Sequence, residues 1–211
     1  MTDFLIFFFG LSLLYICTIS RLEGYIQVLR WQGIFLTLLV LPHAGDISFK
    51  NLIFILLETI GLKTILIPWF LKKILRDNEI TRETEPYLPN FYSLGVATLI
   101  LLAGLVLAYW ALNYTAGLNP LHFGVAIAAV ITGHFIILSR KKLITHTMGF
   151  LLIQNGIFLL SLAKIHEMPM IVNTGVLLNI FLAVFLFGIF MNRIKSTLEE
   201  LDVRDLTSLK D

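Results

Sequence analysis

Between Asn51 and Leu75 the chain reads NLIFILLETIGLKTILIPWFLKKIL. A run of about twenty predominantly apolar residues is long enough to cross a bilayer core. This run nevertheless carries Glu58 and Lys63, with Pro68 further along. A charge at mid-bilayer costs about 2.5–3.5 kcal/mol on insertion scales, so such residues face protein or a wet cavity and commonly mark ion or proton paths. The bland alternative is an ion pair that only fastens helices together. With α-helical winding, residues five apart project about 140° from each other and are offset by about 7.5 Å along the axis. Glu58 and Lys63 are therefore expected to meet groups on other helices rather than each other. Pro68 removes a hydrogen bond to the Thr64 carbonyl. It is expected either to kink the helix beside Lys63 or to be a tolerated membrane proline.

The rest of the chain has the same character. Of its 211 residues 57% are hydrophobic and 14% charged, against about 25% charged in a soluble domain. The expected fold is all-α, a polytopic membrane helix bundle. Seven spans can be read, at about 3–20, 25–42, 51–74, 92–113, 119–138, 143–164 and 170–193. The second and sixth hold several polar residues. Lys and Arg fall unevenly between the two sides. One side receives Arg21, Lys72, Lys73, Arg76, Arg82, Arg140, Lys141, Lys142, Arg193 and Lys195; the other receives Lys50 and Lys164. The positive-inside rule then places the C-terminus in the cytoplasm and the N-terminus outside. The net charge of +2 does not point to nucleic acid, because the basic residues sit at helix ends. A single cysteine, Cys17, leaves no disulfide framework and no cysteine cluster for zinc or iron–sulfur. Met1 to Asp3 has no basic n-region, so the first helix is expected to stay in the membrane.

The chain also repeats itself. Gln32-Gly33-Ile34-Phe35-Leu36 recurs as Gln154-Asn155-Gly156-Ile157-Phe158-Leu159, and Leu56-Leu57-Glu58 as Leu177-Leu178-Asn179. Ser20-Arg21 mirrors Ser139-Arg140 at nearly the same separation. This divides the chain into a three-helix repeat at 1–75, a connector with a fourth helix at 76–118, a second repeat at 119–195 and a tail at 196–211. The fourth helix restores the orientation, so the copies are expected to be parallel.

Every polar group at depth needs a partner, since lipid offers none. Thr147, Gln154 and Ser161 form one stripe, with Asn155 beside it, and span seven adds Asn173, Thr174 and Asn179. The modest reading is interhelical hydrogen bonding, worth about 0.6 kcal/mol on average. The sharper one is a hydrated path with Gln154 and Asn179 as water ligands. His134 lies deepest among the histidines, a residue type that can relay protons. Gly124, Ala126, Ala128, Ala129 and Gly133 allow close helix approach, which places His134 on a crowded interface. His43, His122, His146 and His166 lie near water. Trp31, Trp69, Trp110, Tyr25 and Tyr109 read as interfacial or packing aromatics. No metal constellation, nucleophile–base pair, phosphate loop or redox motif is visible, so bond chemistry by this chain is not expected.

Several segments resemble hydrogenase-4 component E. They are Gly149 to Gly156, Gly133-His134-Phe135, the lysine–proline span around Lys63 and Pro68, and the ending Leu201 to Lys210, close to a family pattern LDVxxLTxLKG. The last three helices are similar in turn to the small K-type subunit of respiratory complex I and the C subunit of Mrp antiporters. The resemblance implies a prokaryotic inner-membrane subunit of a complex I-like or group 4 hydrogenase-like assembly. It implies partners in large antiporter-like subunits and in the membrane subunit beside the redox arm. Iron–sulfur or nickel–iron centres would belong to those partner assemblies, with no cofactor in this chain. The sequence departs from the family where Gln154 and Asn179 replace usual acidic residues, and amides do not exchange protons at physiological pH. The expected cation path therefore moves to Glu58, Lys63 and His134, with Gln154 and Asn179 as polar neighbours. Two rivals remain: a structural subunit without an ion path, and a stand-alone secondary transporter built on the repeats.

Overall fold

A computed structural model describes residues 2–45, 49–77, 87–113 and 119–163. The seventh expected span, the tail and Asn173, Thr174 and Asn179 lie outside these residues, as does the connector from 78 to 86. Apart from the single bridge residues Arg21 and Arg140, all regular structure among the described residues is helical. Helix α1 covers Thr2–Thr18 and α2 Leu22–Val40, ending in a 3-10 turn at Leu41–His43. The third rod is continuous but changes winding: α3 spans Phe49–Leu56, a π-helical segment Leu57–Leu66, and α4 Ile67–Asp77. Then come α5 (Asn90–Ala111), α6 (Pro120–Ser139) and α7 (Leu143–Leu162). These boundaries fall within a few residues of the first six expected spans.

Local chemistry explains the starts. Asp3 sits in the first turn of α1, where the positive helix end favours a carboxylate. Pro120 opens α6, and Asn119 Oδ1 accepts from the His122 backbone N–H at 3.3 Å. That arrangement satisfies an N-terminal donor that has no partner within the helix. Short extended links, at 19–21 and 140–142, turn α1 into α2 and α6 into α7 as tight hairpins.

Among the described residues four helices are long and apolar enough to cross a membrane: 52–73, 90–111, 120–139 and 144–162. Helix α1 is a shorter apolar helix of 17 residues. Helix α2 is more polar because of Glu23, Gln27, Arg30 and Gln32, yet one side of it packs against α1, the third rod and α7. Small residues let the rods approach. A Cβ at Gly104 would stand 2.5 Å from the Gly124 carbonyl oxygen, which brings α5 onto α6. A Cβ at Gly149 would stand 2.8 Å from the Gly133 carbonyl oxygen, which brings α7 onto the opposite side of α6.

Arg140 is buried at the α6–α7 corner rather than lying at the surface with its basic neighbours. Its Nη2 donates to the Cys17 carbonyl at 2.8 Å, capping the last turn of α1 with a cation. Its own carbonyl accepts from His146 Nε2 at 2.8 Å. Arg140→Met is expected to destabilise the protein by about 1–3 kcal/mol, the cost of leaving a buried acceptor unpaired. Thermal unfolding in detergent would show it as an earlier transition; an unchanged transition would show the corner to be indifferent to this contact.

Candidate functional site

Glu58 and Lys63 are both buried, at 0% and 4% exposure. Contrary to the expectation from α-helical spacing, they meet: Lys63 Nζ lies 3.5 Å from Glu58 Oε1. The reason is the π segment. Its hydrogen bonds span five residues instead of four, so residues five apart come to the same face. Thr64 obeys the same register, its hydroxyl donating to the Thr59 carbonyl at 2.8 Å. The α winding resumes at Ile67, whose N–H reaches the Leu62 carbonyl. Pro68 follows immediately and brings no N–H to the ladder.

Three neighbours build the rest of the site. Gly33 of α2 presses on the π segment: a Cβ there would stand 2.7 Å from Thr64 Oγ1 and 3.3 Å from the Lys63 carbonyl carbon. From α7, the Phe158 ring receives the Lys63 ammonium 4.2 Å from its centroid, a cation–π contact of the desolvated kind. Gln154 and Asn155, one turn earlier on α7, share a small cavity with Lys63, Leu29, Ile67 and Leu151. The cavity has room for about one water molecule.

The protein leaves this junction incompletely satisfied. Both Glu58 oxygens, Lys63 Nζ and Gln154 Oε1 are buried and make no hydrogen bond among the described residues. A 3.5 Å ion pair is too long for a charge-assisted hydrogen bond, which closes to about 2.7–2.9 Å. Such groups normally find partners, so an unsatisfied cluster calls for an explanation. Asn155 is different. Its Nδ2 donates to Gln32 Oε1 at 3.1 Å, Gln32 Nε2 donates to Ser12 Oγ at 2.8 Å, and Ser12 Oγ donates to the Phe9 carbonyl at 2.6 Å. This chain ties α7 to α2 and α2 to α1. A double-mutant cycle of Gln32→Leu and Asn155→Leu is expected to give a coupling of about 0.6–1.7 kcal/mol in unfolding free energy. Additive single effects would show that the two amides do not support each other.

His134 does not join the site. It is exposed on α6, and its Nδ1 lies 2.8 Å from the carbonyl of Val130, one turn back on the same helix. The crowded interface expected for it belongs to its neighbour Gly133, which abuts α7. Ser161 also bonds its own helix, donating to the Phe158 carbonyl at 2.7 Å, rather than a neighbouring one. Glu58, Lys63 and Gln154 thus come together, His134 does not, and Asn179 lies outside the described residues. Sequence reasoning missed Gln32, Ser12 and Phe158. The signal was present for two of them, since Gln32-Gly33 and Phe158 belong to the matched repeat segments.

Fold and site together define a helical membrane protein with an incompletely satisfied ion pair in its interior. Comparison with known proteins narrows the class. The chain is 28% identical over 122 residues to hydrogenase-4 component E of Escherichia coli, covering 58% of this chain and 56% of that protein. The same figures hold for the component E of Shigella flexneri. The chain therefore spans about half the length of component E. It is also 24% identical over 191 residues to an uncharacterized protein of Mycobacterium tuberculosis, covering 90% of this chain and 87% of that one. No protein-family model matches the chain. No solved structure matches it.

Proposed function

We propose that the chain is a non-catalytic membrane-arm subunit of a complex I-like or group 4 hydrogenase-like assembly. In this reading its Glu58–Lys63–Gln154 junction takes part in proton or sodium translocation, driven by electron transfer in partner subunits. The observation that carries the reading is the buried Glu58, Lys63 and Gln154 atoms left without hydrogen bonds among the described residues, with Lys63 and Gln154 lining a small cavity. A brace meant only to hold helices would close its bonds, as the Asn155–Gln32–Ser12 chain does. The distant similarity to component E supports membership of a multi-subunit membrane complex. In this reading the path runs with the α4 end toward the cytoplasm, in keeping with the positive-inside rule.

The brace reading has an observation of its own in Phe158, which contacts the Lys63 ammonium and needs no conduction to explain it. The assembly itself is tested by purifying the tagged chain from its native membranes. Recovery with large antiporter-like chains in fixed proportion is the expected result. A chain that is stable and transports cations when purified alone would replace this reading with that of a secondary transporter.

A further inference from the structure

One face of α2 carries polar residues where lipid would otherwise lie. Glu23, Gln27, Arg30 and Trp31 are all exposed, and their spacing puts them on a single helical face. Arg30 stands eight residues beyond the start of α2, about 12 Å along an axis of 1.5 Å per residue. That is close to the middle of a helix whose neighbours are the third rod and α7, both apolar enough to span a membrane. Arg30 has no hydrogen-bond, ion-pair or ring partner among the described residues. Trp31 beside it is 58% exposed. An arginine at this depth ordinarily faces a bundle interior or a counter-charge.

Among the described residues no carboxylate pairs with Arg30. Glu58 is the one carboxylate inside an apolar run of the sequence, and Lys63 holds it. The expected seventh span, 170–193, contains no Asp or Glu. We infer that the Gln27–Arg30–Trp31 face of α2 is a docking surface for a transmembrane helix of another subunit. That helix presents a carboxylate to Arg30. Charge complementarity selects the occupant: a guanidinium takes a carboxylate in a planar, two-pronged pair that fixes register. Gln27 supplies a flanking amide and Trp31 a rigid aromatic anchor, the residue type that dominates contact surfaces. The inference rests on the membrane-arm reading and adds to it the face at which a partner binds. It also sets this contact on the helix whose Gly33 presses on the Lys63 turn.

The test uses the full chain in its native membranes, with a photo-reactive phenylalanine analogue in place of Gln27. After irradiation, adducts are identified by mass spectrometry. The expected adduct is a peptide from a membrane helix of another chain, containing Asp or Glu. Arg30→Glu should then lower recovery of that chain by about 10-fold or more, as truncating a buried charge pair does. Replacing the partner's carboxylate with Arg should restore it. Adducts to phospholipid alone would overturn the inference and show that Arg30 reaches a headgroup phosphate; adducts to residues 164–211 of the same chain would overturn it too. A chain recovered with partners but cross-linked only to lipid loses the docking face and keeps the membrane-arm role. A chain recovered alone loses both.

Discussion

Glu58→Gln is expected to abolish cation pumping by the assembled complex in membrane vesicles. Gln keeps the shape of the side chain but carries no exchangeable proton at physiological pH. It also leaves Lys63 buried without its counter-charge, and breaking a buried pair from one side costs about 3–5 kcal/mol. Loss of pumping by the single variant could therefore report misassembly rather than chemistry. The double variant Glu58→Gln/Lys63→Met separates the two. It removes both charges, and replacing a buried pair with apolar groups of similar volume is often neutral or stabilising. If the pair were only a brace, the double variant would assemble and pump. In the present account it assembles at parental levels, electron transfer continues, and pumping stays absent. Pumping by the double variant would remove both residues from the path.

The second large effect concerns the α6–α7 contact. At Gly133 an added Cβ would stand 2.5 Å from Ile153 Cγ1 and 2.7 Å from the Gly149 carbonyl oxygen. At Gly149 it would stand 2.8 Å from the Gly133 carbonyl oxygen. A side-chain end can rotate away, but a backbone oxygen moves only with its helix. Gly149→Ala is therefore expected to destabilise the bundle by about 1–3 kcal/mol, the usual range for overpacking, and Gly149→Val by more. Because α7 also carries Gln154, Asn155 and Phe158, a shift of this helix would open the Lys63 site. Gly95 is the control, since a Cβ there meets nothing within 4 Å. Gly95→Ala in the exposed second turn of α5 should leave stability unchanged or raise it by about 0.5–1 kcal/mol. The amount of folded protein in detergent, followed against temperature, checks both. Equal behaviour of the two alanine variants would show that the helices are not held at backbone contact.

Much of this architecture was legible in the sequence because long apolar runs bounded by turn residues report their own length. Six expected spans lie within a few residues of the observed helices. What the sequence concealed was winding. A hydrophobic pattern is read against a period of 3.6, and the ten residues from Leu57 to Leu66 do not follow it. The five-residue separation of Glu58 and Lys63, which argued against pairing on an α-helix, is the separation that a π turn brings together. His134 was misplaced for a related reason. Gly133 lies at the α7 contact, and the next residue points about 100° away from it, out of the interface. The Gln32–Asn155 bond was hidden differently. Its two residues were visible as members of matched segments, but a sequence match does not say that the matched segments touch.

The central claim is that the buried Glu58–Lys63–Gln154 junction is wetted so that it can pass a cation. A high-resolution electron cryomicroscopy map of the assembled complex tests it most directly. The account expects ordered waters bonded to Lys63 Nζ and Gln154 Oε1, continuing from the cavity toward Glu58 and into a neighbouring subunit. A dry junction, with Glu58 and Lys63 bonded only to protein groups and no water beyond them, would contradict it and leave the pair as a brace.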